Sequence, residues 1–170
     1  LAMELVDGKS IADLIEQGPI APDRVVRLAR GICLGLAYAH DRGLIHRDLK
    51  PANVMIVDGP DGEVPRLTDF GIAISAVDEM DPQLTPSGFT LGTPAYVSPE
   101  QASGDPRMVT ASTDIYSVGA TLYYCLTRRL PHNGRTVMEI INRVISDPVQ
   151  MPTIIEATVP RDLEAICLRA

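Results

Sequence analysis

Cysteine is sparse and scattered in this sequence. Cys33, Cys125 and Cys167 are the three in 170 residues. An odd number so far apart makes neither a disulfide framework nor a zinc-ligand set. Each falls in an apolar, helix-like pattern, so all three are expected to be buried small hydrophobes in a reducing compartment. An excess of positive charge is also lacking. Lys and Arg number 15 against 22 Asp and Glu, a formal net charge of −7. That excludes a general nucleic-acid binder, because such domains are normally basic. No run reaches 18 apolar residues, so no membrane span is expected. Neither a secretory leader, an internal repeat nor a low-complexity tract is visible. What is present, 45% hydrophobic and 22% charged residues, is ordinary for one globular domain large enough to bury a core.

Along the chain, residues 1–8 form a short apolar run that ends in a turn signal. Residues 10–17 read as a helix with Ser10 as N-cap and Gly18 just past its end. Pro22 opens a second helix. Val25, Leu28, Ala29, Ile32, Cys33 and Leu36 give it a core-facing stripe up to about Gly43, with His40 near its end as a satisfied structural histidine. Residues 54–57 are a β-prone run, 58–62 are dense turn chemistry, and 65–68 return as a second strand. Residues 72–92 sustain no periodicity. Ser112, Thr113 and Asp114 are expected to cap a helix whose positions 115–126 are apolar nearly all round, as for a helix inside a core. Val137, Ile140, Ile141 and Val144 mark another amphipathic helix, and 163–168 begin a last one. The expected fold class is α+β: mainly helical, with one short β-hairpin.

That hairpin separates two chemically loaded blocks. His46-Arg47-Asp48-Leu49-Lys50-Pro51-Ala52-Asn53 precedes it, and Asp69-Phe70-Gly71 follows it. A carboxylate ionised at neutral pH can orient a hydroxyl and accept its proton. An Asn carbonyl and an Asp carboxylate are hard oxygen donors that suit Mg²⁺. With Asn53 at the start of the hairpin and Asp69 at its end, the two donors come together. Taken singly, an Asp or Asn in a Pro-containing loop is a turn residue, and His46 is a packed core side chain. The order and spacing of the two blocks carry the reading.

Both blocks match known patterns, H-R-D-L-x-x-x-N and D-F-G. The chain resembles a eukaryotic-like protein Ser/Thr kinase of the type also common in bacteria. The resemblance covers residues 1–170 as the larger, C-terminal lobe of that fold: 1–9 as the hinge region and 10–170 as the lobe, truncated before its last helices. It implies phosphoryl transfer from ATP with Mg²⁺ to Ser/Thr hydroxyls of proteins. Asp48 would be the catalytic Asp, Asn53 and Asp69 the metal ligands, and Lys50 a charge near the γ-phosphate that goes with Ser/Thr substrates. Backbone groups of Glu4 and Val6 would bond the adenine, with Met3 behind it and Met55 beneath it. Residues 92–100 resemble the segment that receives the substrate. In it Thr93 would hydrogen-bond near Asp48 and Lys50, and Ser98 replaces the Ala of A-P-E.

The same resemblance makes 72–92 an activation segment, with autophosphorylation expected at Thr85, Ser87 or Thr90 and Arg47 as the phosphate's partner. Ile74 stands where many relatives carry a basic residue, which weakens that pocket. Asp114 is implied to brace the backbone around Asp48. Glu100 would pair with an arginine beyond Ala170 and so be left unpaired here. Relatives often have Gly near Arg128 and Phe at His132. No glycine-rich loop, strand lysine or paired glutamate is present to grip the phosphates. We therefore expect a fragment that alone transfers phosphate weakly or not at all, in a cytoplasmic setting with any membrane anchor outside this segment. The competing expectation is a pseudokinase-like protein-binding module. A small-molecule phosphotransferase is disfavoured by the 92–100 segment.

Overall fold

The structure is a computed structural model and describes residues 6–60, 62–70 and 93–170, with the side chain of Thr93 left out. Among the described residues there are seven α-helices and one three-stranded antiparallel sheet of order β1-β2-β3. Strand β1 is Lys9–Ser10, β2 is Val54–Gly59 and β3 is Gly62–Leu67. The hairpin of β2 and β3 is longer than the sequence suggests, pairing Val54 with Leu67 and Gly59 with Gly62. Gly62 has φ 114°, a conformation a side chain would oppose. Pro65 is tolerated because β3 is an edge strand. The third strand, β1, was not expected. It is two residues long and pairs Lys9 with Ile56, too short to leave an alternating pattern.

Helix α1 is Ile11–Gln17, and α2 is Pro22–His40. Ser10 caps α1 in a reciprocal box with Asp13, whose carboxylate accepts from Ser10 N at 2.8 Å. Helix α2 buries Val25, Leu28, Ile32, Leu36 and Ala39. Cys33 is exposed, which corrects the expectation of three buried thiols. It adjoins Ile32, and one helical step of about 100° turns it away from the core. Cys125 is buried, and burial pushes its thiol up to about 12.

Helix α3 is Pro99–Ala102, α4 is Ala111–Thr127, α5 is Val137–Ser146, α6 is Pro152–Ile155 and α7 is Arg161–Arg169. The cap of α4 is Thr110, not the Ser112-Thr113-Asp114 run. Its hydroxyl accepts from Ser112 N, and Thr113 at the third helical position returns the bond to Thr110 N. Asp114 thereby falls one turn inside the helix and faces inward. Helix α4 is the central post of the lobe. Val118, Leu122, Cys125 and Leu126 meet the α2 stripe, together with Leu49, Val54 and Ile56 from the loop and hairpin. A smaller cluster, Ala95, Ile140 and Val144, seats the 93–96 turn on α5. No helix among the described residues is long and apolar enough to cross a membrane.

Candidate functional site

The site is organised by a buried carboxylate that belongs to none of the loops it holds. Asp114 on α4 is fully buried. Its Oδ2 accepts from His46 N at 2.8 Å, and its Oδ1 accepts from Arg47 N at 2.7 Å. His40, at the end of α2, places Nε2 2.7 Å from the same Oδ2. Two backbone donors and one imidazole therefore share a single carboxylate, which is how a buried charge is tolerated. The bracing role implied for Asp114 and the satisfied state expected of His40 are both present in these bonds.

His46 is buried, as expected of a packing residue. Its Nε2 lies 2.9 Å from the Thr68 carbonyl, so this nitrogen carries the proton and donates. Its ring lies 4.4 Å from that of Phe70. The loop before β2 and the segment after β3 are thus tied together from below. Burial lowers the His46 pKa from its ordinary value, and Asp114 only partly offsets this. The shift favours the neutral ring, and among the described residues its Nδ1 has no hydrogen-bond partner.

Arg47 takes φ 67°, a conformation costly for a side-chain-bearing residue. That turn sets Asp48 above the core. Lys50 Nζ donates to Asp48 Oδ2 at 2.8 Å. Asn53, buried in the 3₁₀ turn Pro51–Asn53, donates through Nδ2 to the Asp48 backbone carbonyl at 2.8 Å and to Oδ2 at 3.1 Å. The Asn53 carbonyl accepts from Thr68 N at 3.0 Å, one residue before Asp69. The hairpin therefore brings Asn53 and Asp69 to one place, as the spacing suggested. Asp69 is exposed and has φ 59°. Val6, Met55, Thr68, Asp69 and Phe70 line one open cleft of about 780 Å³.

Met3, Glu4, Thr85, Ser87, Thr90 and the side chain of Thr93 lie outside the described residues, as does Ile74. Thr93 opens the turn Thr93–Tyr96. Glu100 is half-buried, and its Oε1 accepts from the Thr113 hydroxyl at 2.7 Å, a bond that supplies no countercharge. Thr113 can serve both Thr110 and Glu100 because one hydroxyl donates and accepts at once. Sequence reasoning passed over Gln101, whose Nε2 donates to the Arg47 carbonyl at 2.8 Å. The available signal was the S-x-x-Q spacing of Ser98 and Gln101, a capping-box pattern.

The donor set fits a hard divalent cation in part of its shell. Both side-chain bonds given by Asn53 use Nδ2, which leaves Oδ1 as the atom to offer a metal. Asp69 supplies a carboxylate. No group of three or more His, Cys, Asp or Glu gathers among the described residues. Mg²⁺ is characteristically bound by one or two protein oxygens, with phosphates and water completing its shell.

Comparison with known proteins gives one consistent result. A family model described as "Protein kinase domain" matches residues 1–166. The chain is 45% identical over 134 residues to the serine/threonine-protein kinase pkn2 of Myxococcus xanthus, covering 79% of this chain and 16% of that protein. It is 38% identical over 172 residues to PknB of Mycolicibacterium smegmatis, covering 100% of this chain and 26% of the relative. Identity to PknL of Mycobacterium tuberculosis is 40% over 168 residues, 95% of this chain and 39% of the relative. The chain thus spans well under half the length of these relatives.

Proposed function

Because this chain belongs to the protein kinase domain family and is homologous to bacterial Ser/Thr kinases throughout its length, we propose that it forms the catalytic part of a kinase that phosphorylates Ser and Thr hydroxyls of proteins. The observation that carries this reading is the Asp48–Lys50–Asn53 cluster, in which two donors converge on one carboxylate oxygen. A module that only binds partners has no use for such a cluster.

Roles follow from the bonds. Lys50 and Asn53 both occupy Asp48 Oδ2, so Oδ1 is the oxygen that meets a substrate hydroxyl and receives its proton. Lys50 holds the carboxylate's orientation and adds positive charge where phosphate charge must be compensated. Asn53 Oδ1 and Asp69 would hold Mg²⁺, which when bound neutralises phosphate charge. Thr93 follows the activation segment and would bond near Asp48 and Lys50 as substrate docks. Val6 and Met55 would take the adenine, with the backbone of Glu4 and the side chain of Met3 completing that pocket. Autophosphorylation at Thr85, Ser87 or Thr90, with Arg47 as the phosphate's partner, follows from the same family resemblance. Residues 1–9 act as the hinge region and 10–170 as the C-terminal lobe.

The 170 residues hold no glycine-rich loop to cover phosphates. We therefore expect the chain alone to transfer phosphate poorly, far below the ~1–100 s⁻¹ typical of kinases. The test is a phosphotransfer assay with Mg²⁺-ATP and a generic basic protein substrate. This chain is run beside a form extended upstream through a nucleotide-gripping lobe, each with an Asp48→Asn control. Activity in the extended form, lost by about 10²-fold or more in Asp48→Asn, is the expected result. A well-folded extended form that stays silent would favour the binding-module reading.

A further inference from the structure

Among the described residues, the Gln101 side chain bonds both the 93–100 segment and the loop carrying Asp48. Its backbone N donates to Ser98 Oγ at 3.4 Å. Its Oε1 accepts from Ser98 N at 3.2 Å and from Ser98 Oγ at 3.4 Å. Its Nε2 donates to the Arg47 carbonyl at 2.8 Å. A carbonyl only accepts, so the amide nitrogen must face Arg47, and the orientation of the side chain is fixed. Ser98 is fully buried, and this cap occupies the inside of the segment rather than its surface.

The Arg47 carbonyl belongs to the peptide unit that joins Arg47 to Asp48. Arg47 sits at φ 67°, a conformation that persists only where surroundings over-determine it. Its N–H is already held by Asp114 Oδ1 at 2.7 Å. Gln101 holds the opposite side. With both peptide groups of Arg47 tied, the plane that leads into Asp48 has one orientation.

We propose that Gln101 is a positioning residue for Asp48, fixing the peptide that leads into Asp48 through its side-chain amide independently of the Ser98 cap. Gln is required because the residue must accept from Ser98 and donate to Arg47 at once. Glu offers the acceptor but no donor, and sets a carboxylate against a carbonyl. The kinase reading enters only the activity arm of the test.

Two variants separate the bonds. Gln101→Glu keeps an acceptor for the Ser98 N–H and removes the donor to Arg47. Ser98→Ala removes the cap hydroxyl and keeps that donor. The 170-residue chain is examined by hydrogen–deuterium exchange. Gln101→Glu should speed exchange in 44–50 at least about tenfold while 98–103 keeps its protection, and Ser98→Ala should do the reverse. In the upstream-extended form, Gln101→Glu should lower kcat about tenfold or more, since small misplacements near reacting groups can cost as much as 10²-fold. The KM for ATP should stay within about twofold.

Unchanged exchange at 44–50 in Gln101→Glu would overturn the proposal. So would equal loosening of 44–50 by both variants, because the residue would then act only through its cap. A wild-type extended form without transfer would refute the kinase reading and leave the exchange result to stand or fall separately.

Discussion

At the residue scale, the site rests on Asp114. Its position could not be read from spacing, because its partners His46 and Arg47 lie 68 and 67 residues away. The residue pattern alone suggested a cap, a place that Thr110 takes, and the bracing role came only from the family resemblance. Thr110, Ser112, Thr113 and Asp114 are all cap-competent side chains, and only packing decides which one starts the helix. Cys33 shows the same limit. An apolar residue at the edge of a stripe is as ordinary outside as inside. Asp48, Lys50 and Asn53, by contrast, were legible together because their chemistry is local in sequence.

His132 carries a prediction of its own. It is buried, and burial lowers its pKa below the ordinary value, as it does for His46. Both groups resist protonation in the folded state, so the unfolded chain binds more protons as pH falls below about 6.5. Their contribution to stability is present above that pH and is lost on acidification. The urea midpoint of the wild type should fall from pH 7.5 to 5.5, above the range where carboxylates titrate. His132→Phe should fall less over the same interval. Equal falls would show that His132 does not titrate against folding.

At the element scale, α4 explains why the lobe holds together and where it is strained. The helix packs on α2 through one face and carries Asp114 on another. It ends at Arg128 with φ 53°, and the Arg128 N–H donates to the Tyr124 carbonyl at 2.8 Å. This left-handed terminus is a place for glycine, which accounts for the Gly that relatives often have near it. Arg128→Gly should raise stability by about 1 kcal/mol, the order of the left-handed penalty relieved. A denaturant midpoint that stays the same or falls would mean that the Arg side chain contributes more than the strain costs.

The long elements were legible because periodicity accumulates over several turns. Helix α2 and the β2–β3 hairpin appeared close to their expected places, the hairpin extended by pairing out to Gly59 and Gly62. Strand β1 and helices α3 and α6 have two, four and four residues. Such short pieces show no period, and tertiary contacts place them.

At the scale of the whole molecule, Asp48, Lys50, Asn53 and Asp69, the residues of the candidate site, lie at the two ends of the β2–β3 hairpin. These ends are tied together: His46 reaches the Thr68 carbonyl, and Asn53 receives Thr68 N. An open cleft beside them has Val6, Met55 and Asp69 in its wall, together with Tyr38 and Ala39 of α2. The most direct test of this account is to identify what the upstream-extended form phosphorylates. Mass spectrometry of a generic protein substrate after incubation with Mg²⁺-ATP should find phosphoserine and phosphothreonine, and neither after Asp48→Asn. Phosphotyrosine as the main product, or phosphorylation that survives Asp48→Asn, would contradict it.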